Sequence, residues 1–320
     1  DGGGIRGLSE LFILKRVMEE IQHKESLPEM PRPCDYFDMI GGSNTGGLFA
    51  IMLGRLRMSV EQAIASYKYL AEQVFFERKR FSFCHKFSAR RLEAVMKDIV
   101  VEHDESQNKD ALMRSDESAL SECKTFVCAT PLLNKQYPRL FRSYDVRADQ
   151  DLNCTIWEAA RATTAIPAFF NSIFIGDSVK EEFIDSGLDC NNPVMEVLEE
   201  ARYLFGKRPV ACIVSIGAGS FCSTCNATVL QCLLPSNLSQ VLERLSAASE
   251  KVSKEMYNEK DGPREYFRFN MTPKLRENLL FEWQKTGDVE SDTLRYLGED
   301  AVKANIDKLR DILRARVLLR

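Results

Sequence analysis

At 320 residues, the chain is long enough for one large or two modest domains, and such a globule buries roughly 75% of the surface its unfolded form exposes. Its 44% hydrophobic and 28% charged side chains are ordinary for a soluble globule, and no apolar run approaches the ~18 residues that span a bilayer. The 43 basic and 47 acidic side chains leave a net charge of −4, which argues against a nucleic-acid partner, since such domains are strongly basic.

The chain opens DGGGIRG, where Gly2, Gly4 and Gly7 satisfy G-x-G-x-x-G. A dinucleotide site would need a strand before this loop and an acidic residue ending the next strand, whereas Glu19 and Glu20 fall inside the following helix. No G-K-[ST] follows, so a P-loop fails too. An oxyanion hole built from the N–H groups of Gly2, Gly3 and Gly4, with Arg6 adding positive charge, and a plain glycine turn both remain open.

LSELFILKRVMEEIQ carries Leu8, Leu11, Phe12, Leu14, Val17, Met18 and Ile21 at helical spacing, so the loop opens a helix. After a proline-punctuated loop, CDYFDMIGG reads as a short strand and GGLFAIMLGRL as a buried helix. Strand, glycine turn and helix in that order form a nucleophile elbow, which needs small residues two before and two after the attacking side chain. Gly42 and Gly46 supply that frame, and the residue between them is Asn44, with Ser43 one position early. A one-residue shift at a strand end aims Ser43 elsewhere.

Further along, Ser59 with Gln62 marks a helix start. The stretch FFERKRFSFCHKFSARR, Phe75 to Arg91, interleaves rings with Arg78, Lys79, Arg80, Lys86, Arg90 and Arg91. It suits either a peripheral contact with an anionic membrane or a helix end whose rings face the core. Residues 104–116 form the most loop-like polar stretch. KTFVCAT and RPVACIVSIGAG are β-rich runs, the second apolar enough for burial on both faces. From Ser239 onward the sequence turns helical and charged, ending in a stripe of Ile306, Leu309, Leu313 and Val317. The alternation of helices and strands predicts a three-layer α/β/α fold with a mostly parallel central sheet.

The three histidines, His23, His85 and His103, all precede the late acidic motif EEFIDSGLDCNNP, so a triad in the order Ser, Asp, His has no histidine to close it. That leaves a carboxylate as the base, for which Asp185 is the candidate. Ten cysteines scattered along the chain favour a reducing, cytoplasmic compartment over a disulfide scaffold. Cys222 and Cys225 form a C-x-x-C near Cys212 and Cys232, but no second paired cluster follows, so neither metal nor cofactor is expected.

DGGGIRG, FDMIGGSNTGG, ARATTAIPAFF at Ala160 to Phe170, and DSGLDCNNP occur in the order found in patatin-like phospholipases. The chain resembles that family over most of residues 1–220, and its helical remainder, 221–320, is similar to the C-terminal helical part of fungal-type members, which often belong to multidomain chains. The resemblance implies a Ser–Asp dyad that hydrolyses acyl esters of phospholipids or other lipids. It assigns Gly2, Gly3 and Gly4 to the oxyanion hole, Arg6 to the arginine beside it, Asp185 to the dyad base and Asn44 to the nucleophile position, where the family has serine. It also implies a core strand upstream of Asp1. A carboxamide nitrogen is delocalised and forms no acyl-enzyme. The expectation is therefore an impaired lipid acyl hydrolase, or a catalytically inactive lipid-sensing or protein-interaction module of a larger chain.

Overall fold

The protein is described here by a computed structural model of residues 1–76, 87–114, 123–133, 137–146, 152–167, 169–177, 179–219, 238–271, 284 and 286–317. Gly4–Gly7 make one 3-10 turn that runs into α1 (Leu8–Glu25), whose periodic Leu8, Leu11, Leu14, Val17, Met18 and Ile21 are all buried. α2 (Pro33–Tyr36) leads into β1 (Met39–Ser43), and α3 (Thr45–Ala50) follows after Asn44 alone. α4 (Val60–Phe75) begins at the expected capping box: Gln62 N–H donates to Ser59 Oγ at 3.1 Å and Ser59 N–H to Gln62 Oε1 at 2.8 Å. Two orphan donors of the first turn are thereby satisfied.

The chain continues through α5 (Ala89–His103), β2 (Lys124–Pro131), β3 (Arg139–Arg142), α6 (Ile156–Thr163), β4 (Ile173–Ile175), β5 (Glu181–Asp185), α7 (Gly187–Cys190), α8 (Val194–Phe205) and β6 (Cys212–Gly217). It ends with α9 (Leu238–Tyr257), β7 (Glu265–Asn270), α10 (Thr286–Leu297) and α11 (Asp300–Val317). β2 is the hub, buried along its length after Lys124. β1 runs parallel to it with Ser43 opposite Cys128, and β5 runs antiparallel with Asp185 opposite Ala129. The ends of β1 and β5 thus meet across β2, which is how the elbow comes to lie beside Asp185.

The layered α/β fold stands, with one correction to the sheet. β3, β4 and β5 all pair antiparallel, while β1 with β2 and β6 with β7 are parallel. The described sheets are therefore mixed. A connection as short as 176–180 between β4 and β5 permits only an antiparallel return, because a parallel one needs a crossover of about a dozen residues or more. A second correction concerns the C-terminal stretch, which is not wholly helical: Glu265–Asn270 forms β7 beside β6. β6 itself alternates buried and half-buried positions instead of being buried throughout.

α10 and α11 pack back on α1, with Ile306, Leu309 and Leu313 buried in the same core as Ile5 and Leu48. Asp1 ties the two sheets together: its nitrogen lies 3.0 Å from the Ile216 carbonyl, its own carbonyl accepts Gly46 N–H at 2.9 Å, and its carboxylate takes Arg268 Nη2 at 2.7 Å. A cavity of about 880 Å³ separates the edges of β1 and β6, with Met39, Ile40, Val214 and Ile216 among its walls. No described helix is long and apolar enough to cross a membrane.

Two sequence expectations lie largely outside the described residues. The basic and aromatic stretch is described only at its flanks, where Phe75 and Phe87 pack edge to face at 4.9 Å and Phe76 is exposed. Cys222, Cys225 and Cys232 are likewise undescribed, and the described residues contain no cluster able to hold a metal ion.

Candidate active site

Asn44 occupies the tip of the elbow with φ 54° and ψ −121°. This region costs a residue with a Cβ about 1–3 kcal/mol and persists only where the surroundings impose it. They do so by contact. A Cβ on Gly42 would lie 2.0 Å from the Gly46 carbonyl oxygen, and one on Gly46 would lie 2.6 Å from the Asp1 carbonyl oxygen. The spacing of the two glycines is the imprint of those two backbone approaches.

A chain of hydrogen bonds then fixes the turn to the glycine loop. Asn44 N–H donates to Thr163 Oγ1 at the end of α6 (2.9 Å), and Gly4 N–H donates to Thr45 Oγ1 (2.9 Å). The Thr45 hydroxyl donates onward to Asn44 Oδ1 (3.1 Å). The Tyr67 hydroxyl on α4 donates to the Gly4 carbonyl (2.8 Å). The carboxamide oxygen faces Thr45 and its NH₂ faces Asp185.

This arrangement divides the glycines expected to act together. The amide proton of Gly4 is committed to Thr45. Among the described residues nothing accepts the N–H groups of Gly2 and Gly3, and both glycines line the same pocket as Asn44. Close approach explains why they are glycines: an added Cβ would come within 2.9 Å of Asn44 Cβ at Gly2 and 2.0 Å of Ala218 Cβ at Gly3.

Arg6 lines the pocket beside them. Burial lowers its pKa to about 10, partly offset by Glu10, so it stays charged at neutral pH. Asp185 lies behind Asn44 at the end of β5, off the pocket wall and buried among Asn44, Ser186 and Gly187. Burial raises its pKa to about 7, against the opposing pull of the Asn44 carboxamide and the N–H groups of Gly187 and Ser186. Its Oδ1 has no hydrogen-bond partner among the described residues. Ser43, by contrast, is fully buried and points away, its Oγ 3.1 Å from Ser186 Oγ. It does not line the pocket.

The pocket encloses about 80 Å³. Its polar end holds Gly2, Gly3, Arg6 and Asn44, and its apolar wall comes from Leu70, Val74 and Phe75 of α4, Leu92 of α5, and Phe169 and Phe170 after α6. Neither described histidine, His23 or His103, contributes to it. Donors at one end and hydrocarbon along the wall suit an acyl group held by its carbonyl.

The family model of patatin-like phospholipases matches residues 1–198. The chain belongs to that family. It is 27% identical over 331 residues to calcium-independent phospholipase A2-gamma of Homo sapiens, an alignment covering 98% of this chain and 38% of that protein. The Mus musculus counterpart is 28% identical over 98% of this chain and 39% of its own length. Phospholipase A I of Arabidopsis thaliana is 27% identical over 69% of this chain and 20% of its own. The chain thus spans about two fifths of the length of these mammalian relatives.

In this patatin-like domain the fold gathers Gly2, Gly3, Arg6, Asn44 and Asp185 into one site and keeps Ser43 out of it. Sequence inspection missed Thr163, Tyr67 and Asn191. Thr163 was within reach, since it sits in ARATTAIPAFF and a hydroxyl near a helix end often meets a neighbouring backbone. Asn191, which donates to Ser249 Oγ at 2.7 Å and lines the pocket, was visible in DCNNP. Tyr67 carries no local sign, because only tertiary packing against Gly4 gives it a role.

Proposed function

We propose that this is a lipid-ester-binding patatin-like domain whose hydrolytic step is withheld because the nucleophile position is Asn44. The observation that carries the proposal is the side chain of Asn44 at the elbow tip, lining an apolar pocket beside Gly2 and Gly3 with Asp185 behind it. With a serine at that position, Asp185 would take the hydroxyl proton, the Gly2 and Gly3 N–H groups would hold the oxyanion, and water would release the acyl-enzyme. The carboxamide supplies no such nucleophile, and loss of a serine nucleophile lowers turnover by about 10⁶-fold. The ligand class comes from the pocket: an acyl chain along the apolar wall, ester carbonyl at the glycines, phospholipid or another lipid ester as its source.

The test is fatty-acid release from phospholipid vesicles by the natural chain and by Asn44→Ser, with fluorophosphonate labelling and peptide mapping in parallel. The natural chain is expected to show neither turnover nor label, and Asn44→Ser to gain both, with the label at position 44. Labelling of the natural chain at Ser43, or equal turnover by the two proteins, would overturn the proposal. A folded Asn44→Ser protein with no turnover would favour a protein-interaction module instead.

A further inference from the structure

Replacing a serine with asparagine at the elbow does more than remove a nucleophile; it reverses the hydrogen-bonding sense of that corner of the pocket. A serine hydroxyl that gives its proton to Asp185 turns lone pairs toward the ligand. In Asn44 the one acceptor atom, Oδ1, takes the Thr45 hydroxyl proton, while Gly4 N–H donates to that hydroxyl from the other side. The NH₂ group carries two protons. One faces Asp185, whose carboxylate the Asn44 amide stabilises, and the other is left for whatever occupies the pocket that Asn44 lines. Together with the N–H groups of Gly2 and Gly3 and the Arg6 cation, it makes this corner rich in donors, set against the acceptor oxygen of Asn191 beside Gly2.

An ester does not use such a site fully, because it presents one good acceptor, its carbonyl oxygen, and a weak, crowded alkoxy oxygen. A carboxylate presents two equivalent oxygens with about four lone-pair directions, one oxygen for the glycine N–H groups and one for Asn44. Hydrogen bonds to an ionised acceptor are roughly twice as strong as neutral ones. We infer that the Asn44 pocket, within its lipid-binding role, prefers free aliphatic carboxylates to their esters, with the carboxylate bridging Gly2, Gly3 and Asn44 and the tail along Leu70, Val74 and Phe170. This rests on the lipid-binding reading of the site and names its ligand.

Size and charge constrain the ligand further. A cavity of about 150 Å³ holds benzene, so the 80 Å³ here takes the carboxylate and at most the first methylene, and the rest of a tail lies toward the mouth. Each buried methylene adds about 0.8 kcal/mol, or close to fourfold in affinity, until that depth is filled. The ionisable groups lining the head are Arg6, Tyr67 of α4, and Asp1 paired to Arg268 of β7, with Asp185 on β5 behind Asn44 and Glu10 beyond Asp1. Asp185 is the acidic group beside Asn44, and burial raises its pKa to about 7. It is neutral below that pH and repels a carboxylate above it, so binding strengthens as pH falls from 8 to 6.

Octanoate, methyl octanoate and octan-1-ol are titrated calorimetrically into the natural chain at pH 6 and pH 8, a comparison that needs no variant. Octanoate is expected to bind at least tenfold tighter than either neutral ligand, and severalfold tighter at pH 6 than at pH 8. Asn44→Ala is expected to lose at least tenfold in octanoate affinity while methyl octanoate changes little. Methyl octanoate binding as tightly as octanoate, no measurable octanoate binding, or full octanoate affinity in Asn44→Ala would each overturn the inference. These outcomes are independent of vesicle hydrolysis by Asn44→Ser, so failure here is distinguishable from failure of the proposed function.

Discussion

The two ends of the pocket are built by different physics. At the polar end the positions are set by backbone meeting backbone, with Gly42 against Gly46 and Gly46 against Asp1, and nothing there can yield without moving a strand or a helix. At the apolar end, Leu70, Val74, Leu92 and Phe170 are side chains meeting side chains, which can change rotamer or shrink while the elements stay in place. The polar end is thus rigid in kind, fixing what chemistry is offered. The wall is adjustable in degree, fixing the depth of the pocket.

Gly42→Ala attacks the rigid end directly. Its new methyl would stand 2.0 Å from the Gly46 carbonyl oxygen, a contact only backbone movement relieves, so a loss of more than about 4 kcal/mol is expected, among the largest single-site effects. Denaturant unfolding measures it, and a midpoint near that of the natural protein would show that the elbow has slack. Leu70→Ala probes the wall: Leu70 is 2% exposed, and its truncation should cost about 2–5 kcal/mol. Unlike the glycine variant, it should still fold and accept a bulkier or longer tail, seen as a shift of ligand preference toward longer chains; an unchanged preference would mean the wall does not set tail depth.

Asp185→Asn has the smallest expected effect and the clearest pH signature. The folded-state pKa of Asp185, about 7, lies above the ~3.9 of an unfolded aspartate. The folded chain therefore holds the proton more tightly, and stability present below pH 4 declines as pH rises through 7. Glu10, also raised to about 7 by burial, acts with the same sign and remains in the variant. Asp185→Asn should consequently raise stability at pH 8 by about 1–3 kcal/mol, the cost of an incompletely satisfied buried group, and change little at pH 4. Thermal unfolding at the two pH values decides it, and equal shifts at both would exclude titration of Asp185 as the cause.

The same division explains what could be read from sequence. The rigid end was legible because close backbone contacts demand glycine at fixed spacing: Gly2, Gly3, Gly42 and Gly46 announced the loop and the elbow, and Asn44 fell between them. Asp185 stood out as the candidate base because no histidine follows it and DSG matches the family's acidic motif. The commitment of Gly4 N–H to Thr45, and of Tyr67 to the Gly4 carbonyl, could not be foreseen, since each joins residues 41 or 63 positions apart with no periodicity to mark the meeting. β7 was missed for a more local reason. EYFRFN alternates as a strand should and comes after Gly262 and Pro263, but the charged helical sequence on both sides outweighed six residues of alternation. The antiparallel pairings escaped because β4 has only three residues, Ile173–Ile175, too few for any period to show.

The backbone at position 44 is held by glycines, Thr163 and the Asp1 carbonyl, not by the side chain it carries. Asparagine and serine codons differ at a single base. A gene encoding this pocket therefore stands one nucleotide from presenting a hydroxyl on the same elbow, at the same angles, before the same carboxylate, and no part of the scaffold would have to be invented for the change.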